Sequence, residues 1–271
     1  KTTAEDTLVT LADSDFAFSD VDDAHTAFTR IYIKDLESSG DLECYARNGV
    51  GAAWADCQDE DYVTSGAYIR LTPATDSTAT VTFNFCVYDG VACSASTQFS
   101  ITVTPSNDAP TISIQDDTLD TNEDTSLTMN TGGGDGFTVA DAESATLTVT
   151  LATSAGTLTL ADVSAADFSG GCSGAAGDGT ADTTMTFCAN PTNTNTAVDG
   201  LVLAPASNSE STHTITITID DGTNSAVQDT IAVTINAQND NPTASDNTVT
   251  ALEDATYTFS SSDFGFTDVD S

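Results

Sequence analysis

Polar and apolar residues alternate strictly in several short stretches of the chain. Thr-Ile-Thr-Ile-Thr-Ile (214–219) and Thr-Ile-Ala-Val-Thr-Ile (230–235) put every second side chain on one face, which predicts half-buried strands. Asp-Asp-Gly-Thr-Asn (220–224) lies between them and reads as a turn, so the two runs predict a hairpin. Thr-Leu-Thr-Val-Thr-Leu (146–151) is a third run of the same kind. No helical period is sustained anywhere. Short strands broken by Gly, Asn and Asp turns predict an all-β chain of antiparallel Greek-key β-sandwiches, Ig-like in plan. Rows of threonine can meet regular surfaces such as ice. Here the runs are short and sit in different strands, which fits threonine as a β-former on a wetted face.

The pattern repeats. A shift that carries Thr2 onto Thr250 also carries Glu5-Asp6, Ser14-Asp15-Phe16 and Asp20-Val21-Asp22 onto Glu253-Asp254, Ser262-Asp263-Phe264 and Asp268-Val269-Asp270. A weaker copy begins at Asn122-Glu123-Asp124 and continues at Phe137 to Glu143. A second shift takes Asp89-Gly90 onto Asp221-Gly222 and Asn107-Asp108 onto Asn239-Asp240. The expected organisation is one domain over 1–106 lacking its first strand, a complete one over 107–238, and the opening strands of another over 239–271. Both ends then fall inside a repeat, and the chain reads as an excerpt from a longer protein.

Charge narrows the function. The 271 residues carry 42 acidic side chains against 5 basic ones, a net charge of −37. Such a surface is a poor partner for nucleic acid or anionic membrane, since phosphate binding requires Lys and Arg. No apolar stretch is long enough to insert in a bilayer as a helix. A compact body so charged repels itself unless salt or bound cations neutralise it. Acids gathered in short motifs at repeat-related positions favour cations. Six cysteines suit an oxidising compartment. Cys86 and Cys93 flank a hairpin turn, Cys44 and Cys57 enclose one loop, and Cys172 and Cys188 enclose another in the next repeat. The repeat argues for those three sequential disulfides.

Four acidic motifs recur in order: Glu-Asp (5–6, 123–124, 253–254), Asp-x-Asp/Glu (20–22, 141–143, 268–270), Asp-Gly (89–90, 221–222) and Asn-Asp-x-Pro (107–110, 239–242). Any one of them serves equally well as a turn cap, because Asp and Asn bond their own backbone at turns. Calcium, a hard cation, takes several carboxylate and carbonyl oxygens that can converge from separate segments. The ordered set resembles cadherin and cadherin-like repeats, and most closely the prokaryotic versions of large surface adhesins. The resemblance covers nearly the whole chain and implies Ca²⁺ at the domain junctions. It implies one junction made by Glu5, Asn107, Asp108, Asp141, Glu143 and Asp221. A second takes Glu123, Asn239, Asp240, Asp268 and Asp270, while Asp20, Asp22 and Asp89 face a preceding domain. Two family features are missing: Pro105 and Ala237 stand where an extra linker Asp is usual, and no mid-domain Asp-Arg-Glu motif is found.

Nothing in the sequence forms a catalytic set. His25 falls in an acidic loop, and His213 is expected on the exposed face of its strand; neither completes a nucleophile triad. Gly132-Gly133-Gly134 lacks the Lys and Ser/Thr of a phosphate loop and reads as a flexible turn. Paired carboxylates recur with the repeat, which a catalytic pair has no reason to do. The expected function is a calcium-rigidified extracellular structural or adhesive rod, not an enzyme, located at the cell surface. Its partners would be neighbouring copies or domains of the same protein, with surface glycans or proteins as further candidates. Two alternatives stand beside it: a filament subunit completed by strand exchange with its neighbour, and a carbohydrate-binding module using Trp54, whose simpler role is packing over the nearby disulfide.

Overall fold

The computed structural model describes residues 1–19, 28–35, 41–45, 53–58, 60–66, 68–169 and 171–270, with the side chains of 41–45, 54 and 55 outside that description. Asp20, Asp22 and His25 therefore lie outside the described residues, as do the side chains of Cys44 and Trp54. The chain forms two compact units, Lys1–Ser106 and Asn107–Ser271.

The first unit contains β1 (Thr2–Ala4), β2 (Val9–Leu11), β3 (Arg30–Asp35), β4 (Asp41–Tyr45), β5 (Trp54–Asp56), β6 (Tyr62–Thr64), β7 (Ile69–Thr72), β8 (Val81–Tyr88) and β9 (Thr97–Thr104). They make two sheets, ordered β1-β9-β8-β3-β6 and β2-β7-β4-β5. The inward positions Leu11, Ile33, Ile69, Leu71, Phe83 and Ile101 are fully buried, each stabilising the fold by roughly 1.5–3 kcal/mol. Phe16 is buried against Phe85 and Phe99, with ring centroids 4.9 and 5.1 Å away.

The second unit repeats this plan. It contains β10 (Thr111–Ile114), β11 (Thr118–Asn122), β12 (Leu127–Met129), β13 (Phe137–Ala140), β14 (Leu147–Thr153), β15 (Thr157–Thr159), β16 (Thr184–Ala189), α1 (Pro191–Val198), β17 (Leu201–Ala204), β18 (His213–Asp220), β19 (Val227–Asn236), β20 (Thr243–Ser245) and β21 (Gly265–Thr267). The sheet β11-β19-β18-β14-β16 mirrors the first sheet of the other unit strand for strand, and β12-β17-β15 mirrors β2-β7-β4. The fold class is all-β sandwich, as the alternation implies. The hairpin expected across 220–224 is present, with Ile219 opposite Val227. Threonines that lie apart in sequence meet on one face: Thr150 stands opposite both Thr186 and Thr218, and its hydroxyl lies 3.0 Å from that of Thr186.

Two expectations need correction. His213 is not on the wetted face but fully buried. It shares the parity of Ile215, Ile217 and Ile219, so the pleat that buries the isoleucines buries it too. Ser209 Oγ lies 2.9 Å from its Nε2, and the loss of hydration pulls its pKa below the usual histidine value. A helix also exists. Asn190 caps α1 by accepting from Asn193 N (2.8 Å), Pro191 opens it, and Thr194, Ala197 and Val198 are buried at helical spacing. Such a Thr- and Asn-rich stretch carries little helical signal of its own. Tertiary contact holds it: the Asn195 amide brackets the backbone of Val139, accepting from its N–H (2.8 Å) and donating to its C=O (2.9 Å).

Cys86 is bonded to Cys93 across the β8–β9 turn, and Cys172 to Cys188 on β16. Cys57 is disulfide-bonded as well. The Gly132–Gly134 turn is tied down, with Gly133 N donating to Asn130 Oδ1 (2.6 Å) and Asn130 N to Asp135 Oδ1 (2.8 Å). Among the described residues no helix is long and apolar enough to cross a membrane.

Candidate metal centre

Among the described residues, several of the acidic motifs recur with the same local form. β1 runs parallel to β9 and β11 parallel to β19, so each first strand delivers its Glu to the end of the sandwich where the last strand leaves. There Glu5 accepts from Ser106 N (2.6 Å) and Glu123 from Gln238 N (2.5 Å). Both glutamates are almost fully buried. The aspartates that follow Glu5, Glu123 and Glu253, namely Asp6, Asp124 and Asp254, have φ of 52–55°, the left-handed region that Asp tolerates at turns. The chain then returns along β12 and β13. Thr111 pairs with Ala140, which sets Asp141 beside the start of its own unit.

At that start Asn107, Asp108, Asp141, Glu143 and Asp221 come together. Glu143 Oε2 accepts from Asp108 N (3.2 Å), and Asp141 Oδ1 accepts from Glu143 N (3.1 Å) and Ser144 N (2.6 Å). Asn107 Nδ2 donates to Asp221 Oδ2 (2.6 Å) and to Asp108 O (3.0 Å). Asp221 also accepts from Thr223 N and Asn224 N, both at 2.8 Å, which closes the β18–β19 turn. Those donors lower its pKa to about 2, the Thr223 N–H contributing most. Asp89 closes the β8–β9 turn the same way, accepting from Val91 N (2.6 Å) and Ala92 N (2.7 Å).

The linker at 239–240 repeats the arrangement with residues of the next copy. Asp240 N donates to Asp270 Oδ2 (2.5 Å), Asp270 N to Asp268 Oδ1 (3.1 Å), and Asn239 Nδ2 to Asp240 O (2.7 Å). Glu123, Glu210 and Asp270 each place a carboxylate oxygen within 4.8 Å of the other two. The pKa of Asp240 is raised, first by burial and then by the negative charges of Asp270, Asp124, Glu123 and Asp268. No basic residue relieves this crowding within the unit, because Lys1, Arg30, Lys34, Arg47 and Arg70 all precede it.

The donor set suits a hard cation: carboxylate, amide and backbone oxygens, with no sulfur or imidazole among them. Among the described residues, Glu5 Oε2 and Asp141 Oδ2 are buried without a hydrogen-bond partner, and a buried carboxylate oxygen needs a donor or a cation. Asn107 presents its amide nitrogen to Asp221, so its oxygen can serve a metal only after the amide turns over. Sequence reading missed Glu210 and Asn224. Glu210 lies in the loop between β17 and β18 and belongs to no repeated motif; its counterpart by the repeat is Thr78. Asn224 donates to Asn107 O (3.1 Å) and Asp221 Oδ2 (3.1 Å), a clamp absent where Ala92 takes the equivalent place.

The sheets and their repeat define a tandem all-β sandwich. No protein-family model and no curated protein matches the sequence. Solved structures similar to it include mouse Cadherin-23 EC22-24, at 11% identity and TM-score 0.37, covering 84% of this chain and 60% of that one. Human Mucin-like Protocadherin EC1-2 follows at 11% and 0.30, covering 88% and 94%. The S-layer protein SbsC domains 4 and 5 stand at 14% and 0.26, covering 62% and 69%. The chain thus spans less than two thirds of the mouse fragment.

Proposed function

We propose that the chain is part of a calcium-stiffened extracellular rod, a structural or adhesive piece of a large repetitive surface protein similar to prokaryotic cadherin-like adhesins. One observation carries the reading: Glu123, Glu210, Asp240, Asp268 and Asp270, from four separate segments, crowd together with no basic residue in their unit. Left alone they repel. A doubly charged ion would bind oxygens from the outgoing strand, the linker and the next repeat, fixing the angle between repeats. Asn107, Asp108, Asp141, Glu143 and Asp221 would hold an ion at the start of the second unit by the same order of motifs, and Glu5 is the counterpart of Glu123 in the first. Binding only the ordered arrangement stabilises it by about 2.7 kcal/mol at a hundredfold excess over Kd. Sites of roughly 10⁻⁴–10⁻³ M affinity suit an extracellular setting. The chain would act mechanically, without catalysis. Small-angle scattering during a calcium titration tests this: the expected result is a longer, narrower distance distribution with added calcium, and an unchanged one refutes the reading.

The β20–β21 pair supports a second reading, a filament subunit completed by a neighbour's strand. Phe266 on β21 is 61% exposed and Phe264, just before it, 62%, whereas Phe16, the equivalent of Phe264, is 3% exposed. Electron microscopy in EDTA separates the readings, since strand exchange would leave filaments intact without calcium.

A further inference from the structure

The first unit carries a surface that the junction chemistry does not use. On the outer face of the sheet β1-β9-β8-β3-β6, Arg30, Tyr32 and Lys34 of β3 lie beside Tyr62 of β6 and Tyr88 of β8. All five are half-buried. The Arg30 guanidinium stands 4.5 Å from the Tyr62 ring centre and 5.8 Å from that of Tyr88, and Nη1 donates to the Tyr32 hydroxyl (3.3 Å). Tyr32 in turn packs 5.3 Å from Tyr62 and 5.9 Å from Tyr88. Lys34 is paired with Glu60 (2.8 Å).

Arg30 makes no ion pair among the described residues. In a chain with 42 carboxylates and 5 basic residues, a guanidinium held, among the described residues, by tyrosines alone is conspicuous. Its planar fork matches a carboxylate in two-point contact, and the rings beneath it fix its orientation in advance. Tyrosine and arginine are also the residues that anchor protein interfaces, and a flat sheet face suits a protein more than a small ligand. The partner must be acidic. The second unit, Asn107–Ser271, has no Lys or Arg at all.

We propose that the Arg30–Tyr32–Tyr62–Tyr88 face is a docking surface for the acidic second unit of another copy of this chain, joining copies side by side or in series. Net charge opposes this meeting, since each copy carries −37. At about 0.15 M salt the screening length is roughly 8 Å, so long-range repulsion fades while contact pairs at hydrogen-bond distance persist. The contact therefore forms in moderate salt and weakens at both extremes. It depends on no metal.

Sedimentation of the full chain in EDTA across a concentration series is the test. At about 0.15 M NaCl the expected result is reversible self-association, falling roughly tenfold or more in affinity for Arg30→Glu. It falls partially for Arg30→Lys, which keeps charge but loses the planar fork. Near-ultraviolet circular dichroism shows whether each variant is folded. Tyr62→Phe, which keeps the ring, should associate as the parent does. A parent that stays monomeric at every salt concentration overturns the proposal, including the outcome in which the face instead captures an acidic glycan. Association untouched by a folded Arg30→Glu overturns it equally, and working in EDTA keeps the result separate from any failure of the calcium reading.

Discussion

Replacing Glu123 by Gln separates repulsion from metal binding at the second junction. The amide keeps an oxygen to accept from Gln238 N, so the buried hydrogen bond survives. It removes one charge from a group in which Glu123, Glu210 and Asp270 hold oxygens within 4.8 Å of one another. Two like charges at that distance repel by about 0.9 kcal/mol in water and ~3.5 kcal/mol at an effective dielectric constant near 20. Glu210 and Asp270 are both exposed, so the value in water is the better guide. Losing two such pairs should stabilise the unit by roughly 1–2 kcal/mol when calcium is absent. That corresponds to a rise in melting temperature of roughly 2–8 °C for a unit of this size. In calcium the sign reverses. The wild type gains about 2.7 kcal/mol at a hundredfold excess over Kd, and the variant forfeits much of that gain. Thermal unfolding by circular dichroism in EDTA and in millimolar calcium measures both limbs. Crossing curves are expected: the variant melts above the wild type in EDTA and below it in calcium. A shift of the same sign and size in both buffers refutes the reasoning, because it would mean that Glu123 acts only through packing.

Acid should act through Asp221 and Asp240 in opposite directions. Asp221, whose folded pKa lies near 2, contributes stability that is complete above its unfolded value of 3.8 and lost as pH falls from there through about 2; Asp221→Asn should flatten that part of a pH–stability curve. Asp240 has a raised pKa, so its contribution is greatest below 3.8 and is lost as pH rises through the folded value; in EDTA, Asp240→Asn should stabilise the unit most near neutral pH, as read by urea unfolding. His213, buried with a lowered pKa, binds its proton more readily once unfolded, so stability should decline as pH falls below 6.5, and His213→Leu should remove that slope in denaturant titrations. Opening the Cys172–Cys188 bridge by a double Ser substitution releases a loop with a sequence separation of 16 and should cost about 3 kcal/mol, against ~2 kcal/mol for Cys86–Cys93 with its separation of 7.

Much of the architecture was legible because period-two alternation and repeat phase are local signals. Ile215, Ile217 and Ile219 mark their own buried face, and Asp221-Gly222 marks the turn that follows. The positions of Glu5 and Glu123 follow from strand direction alone: a first strand running away from one linker must leave its Glu near the next. His213 goes against its residue type, because it stands in phase with the isoleucines and parity decides the face. α1 escaped because Pro191–Val198 is held by an N-cap and by Asn195 clasping Val139, contacts that no helical period announces. Glu210 was invisible for another reason. Its loop aligns with one that has Thr78 at the same place, and only the folded chain brings it to Glu123 and Asp270. Asn224 likewise acts through a partner far away in sequence, Asn107.

Anomalous scattering from crystals of the full chain soaked in a terbium salt, a calcium substitute, tests the central claim most directly. The account predicts a peak among Glu123, Asp240, Asp268 and Asp270 with several oxygens at roughly 2.3–2.6 Å, displaced by excess calcium. Peaks only at scattered surface carboxylates, with the Glu123 and Asp270 oxygens turned apart into solvent, would contradict it.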